Sequence, residues 1–240
     1  LAHLRAWDGR LEADSVAAAI CQVSILKALH LIFDGHLGEV APAYVGLGLT
    51  TLGENGPYQD RSIVRLLDLL DGKGSNYWLR EPGSGQMRSR PEVLRQALRE
   101  TLAVLEAELG ADVDRWTWGR VNRFYFSHPV GEVKPLNLLF NKGPYPASGG
   151  PDTLLRASVR PEYPFPPVAV GDALRFIADP GDWERCRIVV PGGQSGHAAS
   201  RHYADLIPIW REGRQQAMPF RRDQVERYAE ERLTLAPMPG

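Results

Sequence analysis

Gly193-Gln-Ser-Gly-His197 is the segment of the sequence that most suggests catalysis, because it holds a hydroxyl and an imidazole within three residues. Ser195 would be the nucleophile and His197 its base. In a nucleophile elbow, however, a glycine stands two residues after the serine, and His197 occupies that place. The members of a catalytic triad also converge from distant segments. The pattern therefore favours a glycine-rich turn after a strand over a catalytic Ser195.

A metal site is the next chemistry to consider, since His197 and His202 are followed closely by Asp205. A zinc ion needs three or four convergent ligands whose orientation is held by further hydrogen bonds. Nothing else in the sequence marks such a set, so no metal site is predicted. The glycine-rich run 142–150 lacks the order of a phosphate-binding loop and is interpreted as a turn.

Carboxylates follow one predicted strand closely and could carry out acid–base chemistry as a pair. They are Asp172, Asp179, Asp182 and Glu184. Turn and helix-capping roles explain Asp179 and Asp182 without any catalysis. Asp172 is therefore the one candidate for an active-site carboxylate, and a turn at the end of a strand is the alternative interpretation.

The composition is that of a globular protein, with 240 residues, 43% of them hydrophobic and 24% charged. Lys and Arg number 28 against 29 Asp and Glu, which gives no basic footprint for nucleic acid. No apolar run reaches the ~20 residues expected of a membrane span. The two cysteines are too few for a disulfide scaffold. The sequence leaves open whether they form one disulfide with each other.

The first half of the sequence, 1–112, predicts helices. Ser15 and Asp14 are good caps for an apolar stripe over 15–33. A second stripe of Ile63, Leu66, Leu67 and Leu70 ends at Gly72, and 72–90 is interpreted as an exposed loop. The clearest helix starts at Pro91, carries a leucine row and stops at Gly110. That row consists of Leu94, Leu98, Leu102, Leu105 and Leu109.

The second half, 113–240, predicts strands and long loops, followed by short helices. Extended segments are expected at 121–126, 153–159, 168–178 and 187–190, with a loop over 141–151. A helix over 200–212 should be kinked at Pro208, and a last helix should begin at Asp223 with Glu226 closing its cap. We expect an α+β fold whose two halves share one core over 1–240, since the segment joining them is short and carries two tryptophans.

Motifs of the C-terminal third are more specific as a series than singly. The series is Gly171-Asp-Ala-Leu-Arg-Phe-Ile-Ala-Asp179, Val189-Val-Pro-Gly-Gly-Gln-Ser-Gly-His197, Ser200-Arg-His-Tyr-Ala-Asp205, Ile209-Trp210 and Met218-Pro-Phe220. It resembles the C-terminal end of the penicillin acylase family. The family has a glutamine where this chain has Leu206, which puts a polar contact made there in doubt.

Upstream segments agree with the family in the same order, so the resemblance covers nearly the whole chain. They are Arg5-Ala-Trp-Asp-Gly9 with Asp14-Ser15, Trp118-Gly119, His128-Pro129, Phe140-Asn141-Lys-Gly-Pro144, Gly149-Gly150 and Thr153. The resemblance implies a four-layer αββα fold of the N-terminal nucleophile hydrolases. The catalytic chain of such an enzyme starts with a serine whose hydroxyl attacks an amide and whose α-amino group acts as base.

The resemblance also implies that this chain corresponds to the C-terminal half of the catalytic β-chain. Leu1 has no side-chain heteroatom and cannot be the nucleophile. No nucleophile, oxyanion or calcium-ligand position of the family maps onto these residues. Some relatives direct a carboxylate near Asp172 at an active-site base, and if Asp172 did so, Asp172→Asn would lower turnover more than stability.

From the resemblance we expect part of an amidohydrolase that cleaves the acyl side chain from a β-lactam antibiotic or an N-acyl homoserine lactone. Its expected partners are the upstream α- and β-chain segments of the same precursor and a small amide substrate, with neither nucleic acid nor a membrane span. No cofactor is expected in this chain, calcium is possible upstream, and the expected location is periplasmic or secreted. The alternative is a non-catalytic binding or scaffold module of the same fold.

Overall fold

The computed structural model describes residues 2–45, 56–151, 153–159, 165, 168–230 and 232–236. Two compact units divide the chain, Leu1–Gly171 and Asp172–Gly240. The first unit contains most of the helices and one sheet, and the second contains a smaller sheet with short helices. The α+β class expected from the sequence is confirmed. The single core expected over 1–240 stays a prediction.

Helices of the first unit follow the sequence pattern closely at their ends. Ser15 accepts a hydrogen bond from the Ala18 N–H at 3.1 Å and so caps the long second helix. Gly110, at φ 90°, ends the long fifth helix where the sequence placed its stop. The helices are α1 (Ala2–Ala6), α2 (Val16–Leu37), α3 (Ala41–Tyr44), α4 (Gly56–Leu70), α5 (Arg90–Leu109), α6 (Trp118–Val121) and α7 (Asn137–Phe140).

The core of the first unit forms around α2, which packs mainly against α5 and also against α4 and α6. The Phe33 ring lies at the centre of this cluster, 5.0 Å from the ring of Tyr44 and 5.3 Å from that of Trp78. The other buried members are Ala28, Leu29, Ile32, Val45, Leu66, Leu69, Leu79, Val93 and Ala97. Burial of this apolar surface stabilises the unit.

The helix predicted from Pro91 to Gly110 is confirmed as α5, but its leucine row does not form its buried face. Leu105 is fully buried, whereas Leu94 is 47% and Leu102 39% exposed. The buried face carries Val93, Ala97 and Thr101 instead. Small side chains let α5 lie close to α2, and a hydrogen bond from the Ser24 hydroxyl to that of Thr101, 3.2 Å long, crosses the contact. Close helix approach therefore selected the smaller residues.

Segment Val16–Tyr44 is long and apolar enough to cross a membrane by length and composition alone. The expectation from sequence that no apolar run is long enough to span a membrane is therefore wrong. However, 61% of the most apolar window is buried within the fold. Packing as the core helix of the first unit accounts for its hydropathy.

The sheet of the first unit has the order β2-β1-β4-β3 and contains one parallel pair. Its strands are β1 (Arg123–Phe126), β2 (Lys142–Pro146), β3 (Ala157–Val159) and β4 (Val168–Gly171). Phe124 pairs with Tyr145 across β1 and β2 and with Val168 across β1 and β4. The predicted loop over 141–151 is thus wrong for 142–146. Prolines are tolerated there because β2 is an edge strand with one pairing side.

The strand predicted over 168–178 is divided. Its first part is β4, and its second is β5 (Arg175–Ile177) in a separate sheet of order β5-β6-β7, completed by β6 (Arg187–Val189) and β7 (Gln216–Ala217). Between β4 and β5, the Asp172 carbonyl accepts a hydrogen bond from the Trp210 side chain rather than from a neighbouring strand. The predicted strand at 153–159 is likewise shortened to β3.

Short helices of the second unit also differ from the sequence prediction. The helix expected over 200–212 is a 3₁₀ turn at Arg201–Tyr203 and a separate α8 (Ile207–Arg211). Pro208 lies in the first turn of α8, where a missing N–H costs nothing. The last helix, α9 (Arg222–Tyr228), is capped by Arg221, not by Asp223. The Arg221 N–H instead donates to the Glu184 carboxylate at 2.6 Å.

Candidate functional site

Asp172 lies at the start of the second unit and is held by both its carboxylate and its backbone. Arg175 Nε donates to Asp172 Oδ2 at 3.1 Å across the turn that precedes β5. Trp210 Nε1, from α8, donates to the Asp172 carbonyl at 3.0 Å. The Asp172 side chain is 24% exposed, so the carboxylate still reaches solvent. The candidate carboxylate is therefore a fixed anion at the edge of its unit.

Arg175 links this turn to α8. Its Nη1 donates to the Trp210 carbonyl, and its guanidinium carbon lies 4.5 Å from the centre of the Trp210 ring. The side chain is only 11% exposed, and among the described residues its Nη2 has no hydrogen-bond partner. A buried guanidinium needs an anion nearby, and Asp172 supplies it. These contacts support the turn interpretation of Asp172.

Ser195 lies in a tight turn closed by local hydrogen bonds. Its hydroxyl oxygen accepts from the His197 N–H at 3.1 Å, and its own N–H donates to the His202 carbonyl at 3.0 Å. His197 Nδ1 accepts from the Ala199 N–H at 3.2 Å. The Nδ1 atom of His197 is thus occupied by a backbone N–H and not by the Ser195 hydroxyl. The geometry is that of a turn, as the sequence favoured.

Gly193 explains why this turn is glycine-rich. A Cβ at Gly193 would lie 2.1 Å from the His202 carbonyl oxygen. Because that oxygen belongs to the backbone, no change of side-chain rotamer could relieve the clash, and only glycine fits. Gly192 has a φ of 90°, in the left-handed region that favours glycine. Ser200 then caps the following 3₁₀ turn by accepting from the His202 N–H at 3.2 Å.

His202 and Asp205 resemble two of the three members of a catalytic triad, with no nucleophile beside them among the described residues. His202 Nδ1 lies 2.6 Å from Asp205 Oδ2, and this hydrogen bond is the main reason why the pKa of His202 is raised. His202 Nε2 faces the Arg201 Nε at 2.9 Å and Glu230 Oε2 at 3.4 Å, where a triad would have a serine hydroxyl. The cluster ties the 201–205 turn to Glu230.

The remaining candidate carboxylates have the structural roles that the sequence suggested. Asp179 accepts from the Gly181 N–H at 3.0 Å, and Asp182 caps the 3₁₀ turn at Trp183–Arg185 by accepting from the Glu184 N–H. Within the described part of the chain, no group of three or more His, Cys, Asp or Glu side chains could hold a metal ion. His197, His202 and Asp205 accordingly do not converge on one.

Asn122 is a buried polar residue that the sequence analysis did not single out. Its Nδ2 donates to the carbonyls of Ala147 and Gly149 at 3.2 and 3.1 Å, and Trp118 Nε1 donates to the same Gly149 carbonyl at 2.8 Å. The Gly149 N–H donates to Leu11 at 2.7 Å. Two motif segments, 118–119 and 149–150, are therefore joined by hydrogen bonds in the core.

Asn141 serves the same purpose in a second motif. Its Oδ1 accepts from the His128 N–H at 2.9 Å, and its Nδ2 donates to the Tyr125 hydroxyl at 2.9 Å and the Gly131 carbonyl at 3.2 Å. A Cβ at Gly131 would lie 2.0 Å from Asn141 Oδ1. The motif residues His128 and Asn141 thus hold loops in place.

A comparison with solved structures shows which fold this chain shares, and a comparison with family models shows its family. A thermostable penicillin G acylase from Alcaligenes faecalis matches all of the chain with a TM-score of 0.51 at 20% sequence identity, over 42% of that structure. The fold is thus shared with a penicillin acylase. The sequence model of the penicillin amidase family matches residues 1–227. The chain belongs to the penicillin amidase family.

Relatives of known name are acylases. The chain is 30% identical over 238 residues to acyl-homoserine lactone acylase QuiP from Pseudomonas syringae pv. syringae, covering 98% of the chain. It is 29% identical over 214 residues to the penicillin acylase 2 proenzyme of Pseudomonas sp. strain SE83, covering 86% of the chain. It spans 28% and 24% of the lengths of these two relatives. The family resemblance inferred from the motifs is confirmed.

Proposed function

We propose that the chain is the C-terminal portion of an acylase that hydrolyses the amide bond between an acyl side chain and an amine. The observation that carries the proposal is the match of nearly the whole chain to relatives named as acylases, one of a homoserine lactone and one of penicillin. Acyl-homoserine lactones and penicillins share an acyl–amide bond, so an amide of one of these classes is the proposed substrate.

The part that this chain plays is structural. Amide hydrolysis needs a nucleophile, a base and donors aimed at the developing oxyanion. In the described residues, Ser195 and His197 are engaged in a turn, and His202 faces Arg201 and Glu230 instead of a hydroxyl. These contacts support a chain that contributes no catalytic group. The nucleophile would be a serine at the start of a catalytic chain elsewhere in the protein, with its α-amino group as base.

Partners of the chain would be the upstream α- and β-chain segments of the same precursor. Exposed leucines of α5 support this proposal, since Leu94 and Leu102 lie on one side of the helix with Leu98 between them. Leu136, Leu138 and Leu139 are also exposed at the surface of the first unit. Calcium, if required, would bind upstream, no cofactor would bind this chain, and the protein would be periplasmic or secreted.

The experiment is to compare residues 1–240 expressed alone with the protein expressed from its full reading frame. Hydrolysis of a chromogenic phenylacetyl amide and of an N-acyl homoserine lactone is measured for both, with the oligomeric state of the short chain. We expect turnover only from the full reading frame. Turnover by residues 1–240 alone would refute the structural role, and an inactive full protein would favour the binding or scaffold module.

A further inference from the structure

A polar cavity of about 430 Å³ lies in the first unit, where the end of α5, the short α6 and the β1–β2 pair meet. Leu109, Pro146 and Phe165 supply apolar wall, and Arg120 and Arg123 supply two guanidinium groups. Glu108 is the one carboxylate among the lining residues, and it is exposed. The cavity thus combines an apolar surface with an excess of positive charge.

Arg123 has an unmet hydrogen-bonding need beside this cavity. Its Nη2 donates to the Phe165 carbonyl at 3.3 Å, but its Nε is buried and, among the described residues, has no partner. No carboxylate in the described ranges forms an ion pair with this side chain. A buried N–H of a charged group that makes no hydrogen bond is costly to the fold. An anion in the cavity would remove that cost once the Arg123 side chain turns to present its Nε, which surrounding atoms cover in this structure.

Arg120 adds a second cation to the same wall. Its Nη1 donates to the carbonyls of Leu109 and Arg115, at 3.3 and 3.1 Å, and so compensates the carboxyl end of α5. Within the described part of the chain, this guanidinium also has no carboxylate within ion-pair distance. Neither arginine is therefore paired with a carboxylate of the described residues, although both line one cavity.

We propose that this cavity binds a carboxylate carried on an apolar group, with Arg123 as the principal ligand. The Nε and Nη donors of a guanidinium form a planar fork that matches the two oxygens of a carboxylate. Leu109, Pro146 and Phe165 would contact the apolar part of the ligand. The negative charge of Glu108 in the lining disfavours multiply charged anions such as phosphate.

Two sources could supply such a carboxylate, a free organic acid or an acidic side chain from elsewhere in the protein. The probe is 4-bromobenzoate, because its bromine can be located by anomalous scattering. The protein from the full reading frame is crystallised with the probe, and the dissociation constant is measured by calorimetry in solution. The variants are Arg123→Gln and Arg123→Lys, and the matched control is Arg99→Gln, which removes an exposed arginine of α5.

For a free acid, we expect the carboxylate of the probe within 3.5 Å of Arg123 Nε, which is hydrogen-bonding distance. The dissociation constant should then rise at least tenfold in Arg123→Gln, less in Arg123→Lys, and stay within about twofold in Arg99→Gln, because only Arg123 holds the fork. For an internal source, the crystal shows an Asp or Glu carboxylate at Arg123 Nε, and Arg123→Gln lowers the melting temperature more than Arg99→Gln.

The proposal is overturned if the cavity of the full protein holds neither the probe nor an acidic side chain at Arg123. It is also overturned if the probe is seen in the crystal but gives no saturable titration, since that is binding at crystal concentration only. Should Arg123→Gln fail to fold, the unsubstituted protein and Arg123→Lys still decide the outcome. Because binding is read at the cavity itself, the result does not depend on whether the protein hydrolyses an amide.

Discussion

Asp172 is held through its side chain by a residue three positions away and through its carbonyl by one that lies 38 positions further along the chain. The first contact depends on the local turn, whereas the second requires α8 to fold back onto it. Arg175 contacts both Asp172 and Trp210, so the three residues form one connected group. A carboxylate in such a group is fixed whether or not it takes part in chemistry.

Replacing Asp172 by Asn should therefore affect stability first. The change leaves the Arg175 guanidinium without its anion, and we expect the free energy of unfolding to fall by about 1–3 kcal/mol. Turnover per folded molecule of the full protein should stay within about twofold. Urea unfolding and steady-state kinetics provide the two measurements.

Asp182→Asn is the matched control for this change, because asparagine also caps helices well. It should alter stability by less than about 0.5 kcal/mol, as ordinary surface changes do. A large loss of turnover in Asp172→Asn at unchanged stability would restore Asp172 as an active-site carboxylate, as the sequence analysis considered.

Ser195→Ala tests the turn at 192–203. The hydroxyl oxygen accepts one hydrogen bond, from the His197 N–H, so its removal should cost about 1 kcal/mol of stability. Turnover of the full protein should be retained. Loss of activity without a change in melting temperature would mean that Ser195 is catalytic after all.

At the scale of elements, ion pairs and charged hydrogen bonds hold the short turns of the second unit in place. The 3₁₀ turn at Arg201–Tyr203 is held to Glu230 by ion pairs from Arg201 and His202. The start of α9 is held by the Arg221 N–H on the Glu184 carboxylate. Such links respond to pH and salt more than apolar packing does.

The link through His202 should weaken as the pH rises. The pKa of His202 is raised, first by the hydrogen bond to Asp205 and also by the charges of Asp205 and Glu230, while desolvation and the charge of Arg201 oppose the shift. A raised pKa means that the stabilisation is fully present below the ordinary histidine value of about 6.5 and is lost as the pH rises through the raised value. NMR titration of the His202 ring should give a midpoint above that ordinary value.

Asp205→Asn should lower the midpoint, and Asp223→Asn, which removes a carboxylate from α9, should leave it unchanged. An unaltered midpoint in Asp205→Asn would contradict the assigned cause.

At the scale of the whole molecule, the chain spans only about a quarter of the length of the relatives it matches. Its buried core is nevertheless well formed around α2. The exposed leucines of α5, Leu94 and Leu102, are the feature that this core leaves unexplained. If upstream segments cover them, as proposed, both are buried in the full protein.

Two leucines of α5 allow a matched test of whether upstream segments cover this helix. In the protein from the full reading frame, Leu105→Ala should cost about 2–5 kcal/mol, because Leu105 is buried in this chain already. Leu102→Ala should cost about 1–3 kcal/mol if another segment covers it. A cost for Leu102→Ala below about 0.5 kcal/mol, beside a large cost for Leu105→Ala, would show that Leu102 faces solvent in the full protein.

Local signals in the sequence determined the helices and the family. Ser15, Gly72 and Gly110 marked helix ends correctly because caps and stops depend on the residue itself and its immediate neighbours. The ordered motifs identified the family for a related reason. Their glycines and asparagines hold loops by contacts that few other residues could make, as Gly193 and Asn141 show.

Tertiary structure alone decided what depends on residues distant in sequence. The buried face of α5 was selected by how closely α2 approaches, which the leucine spacing could not reveal. The proline-containing segment 142–146 forms a strand because it pairs with β1. The predicted strand at 168–178 is divided at Asp172, whose carbonyl accepts a hydrogen bond from the Trp210 side chain. The cavity at Arg120 and Arg123 formed in the same way, because packing of separate elements brought two guanidinium groups to one wall.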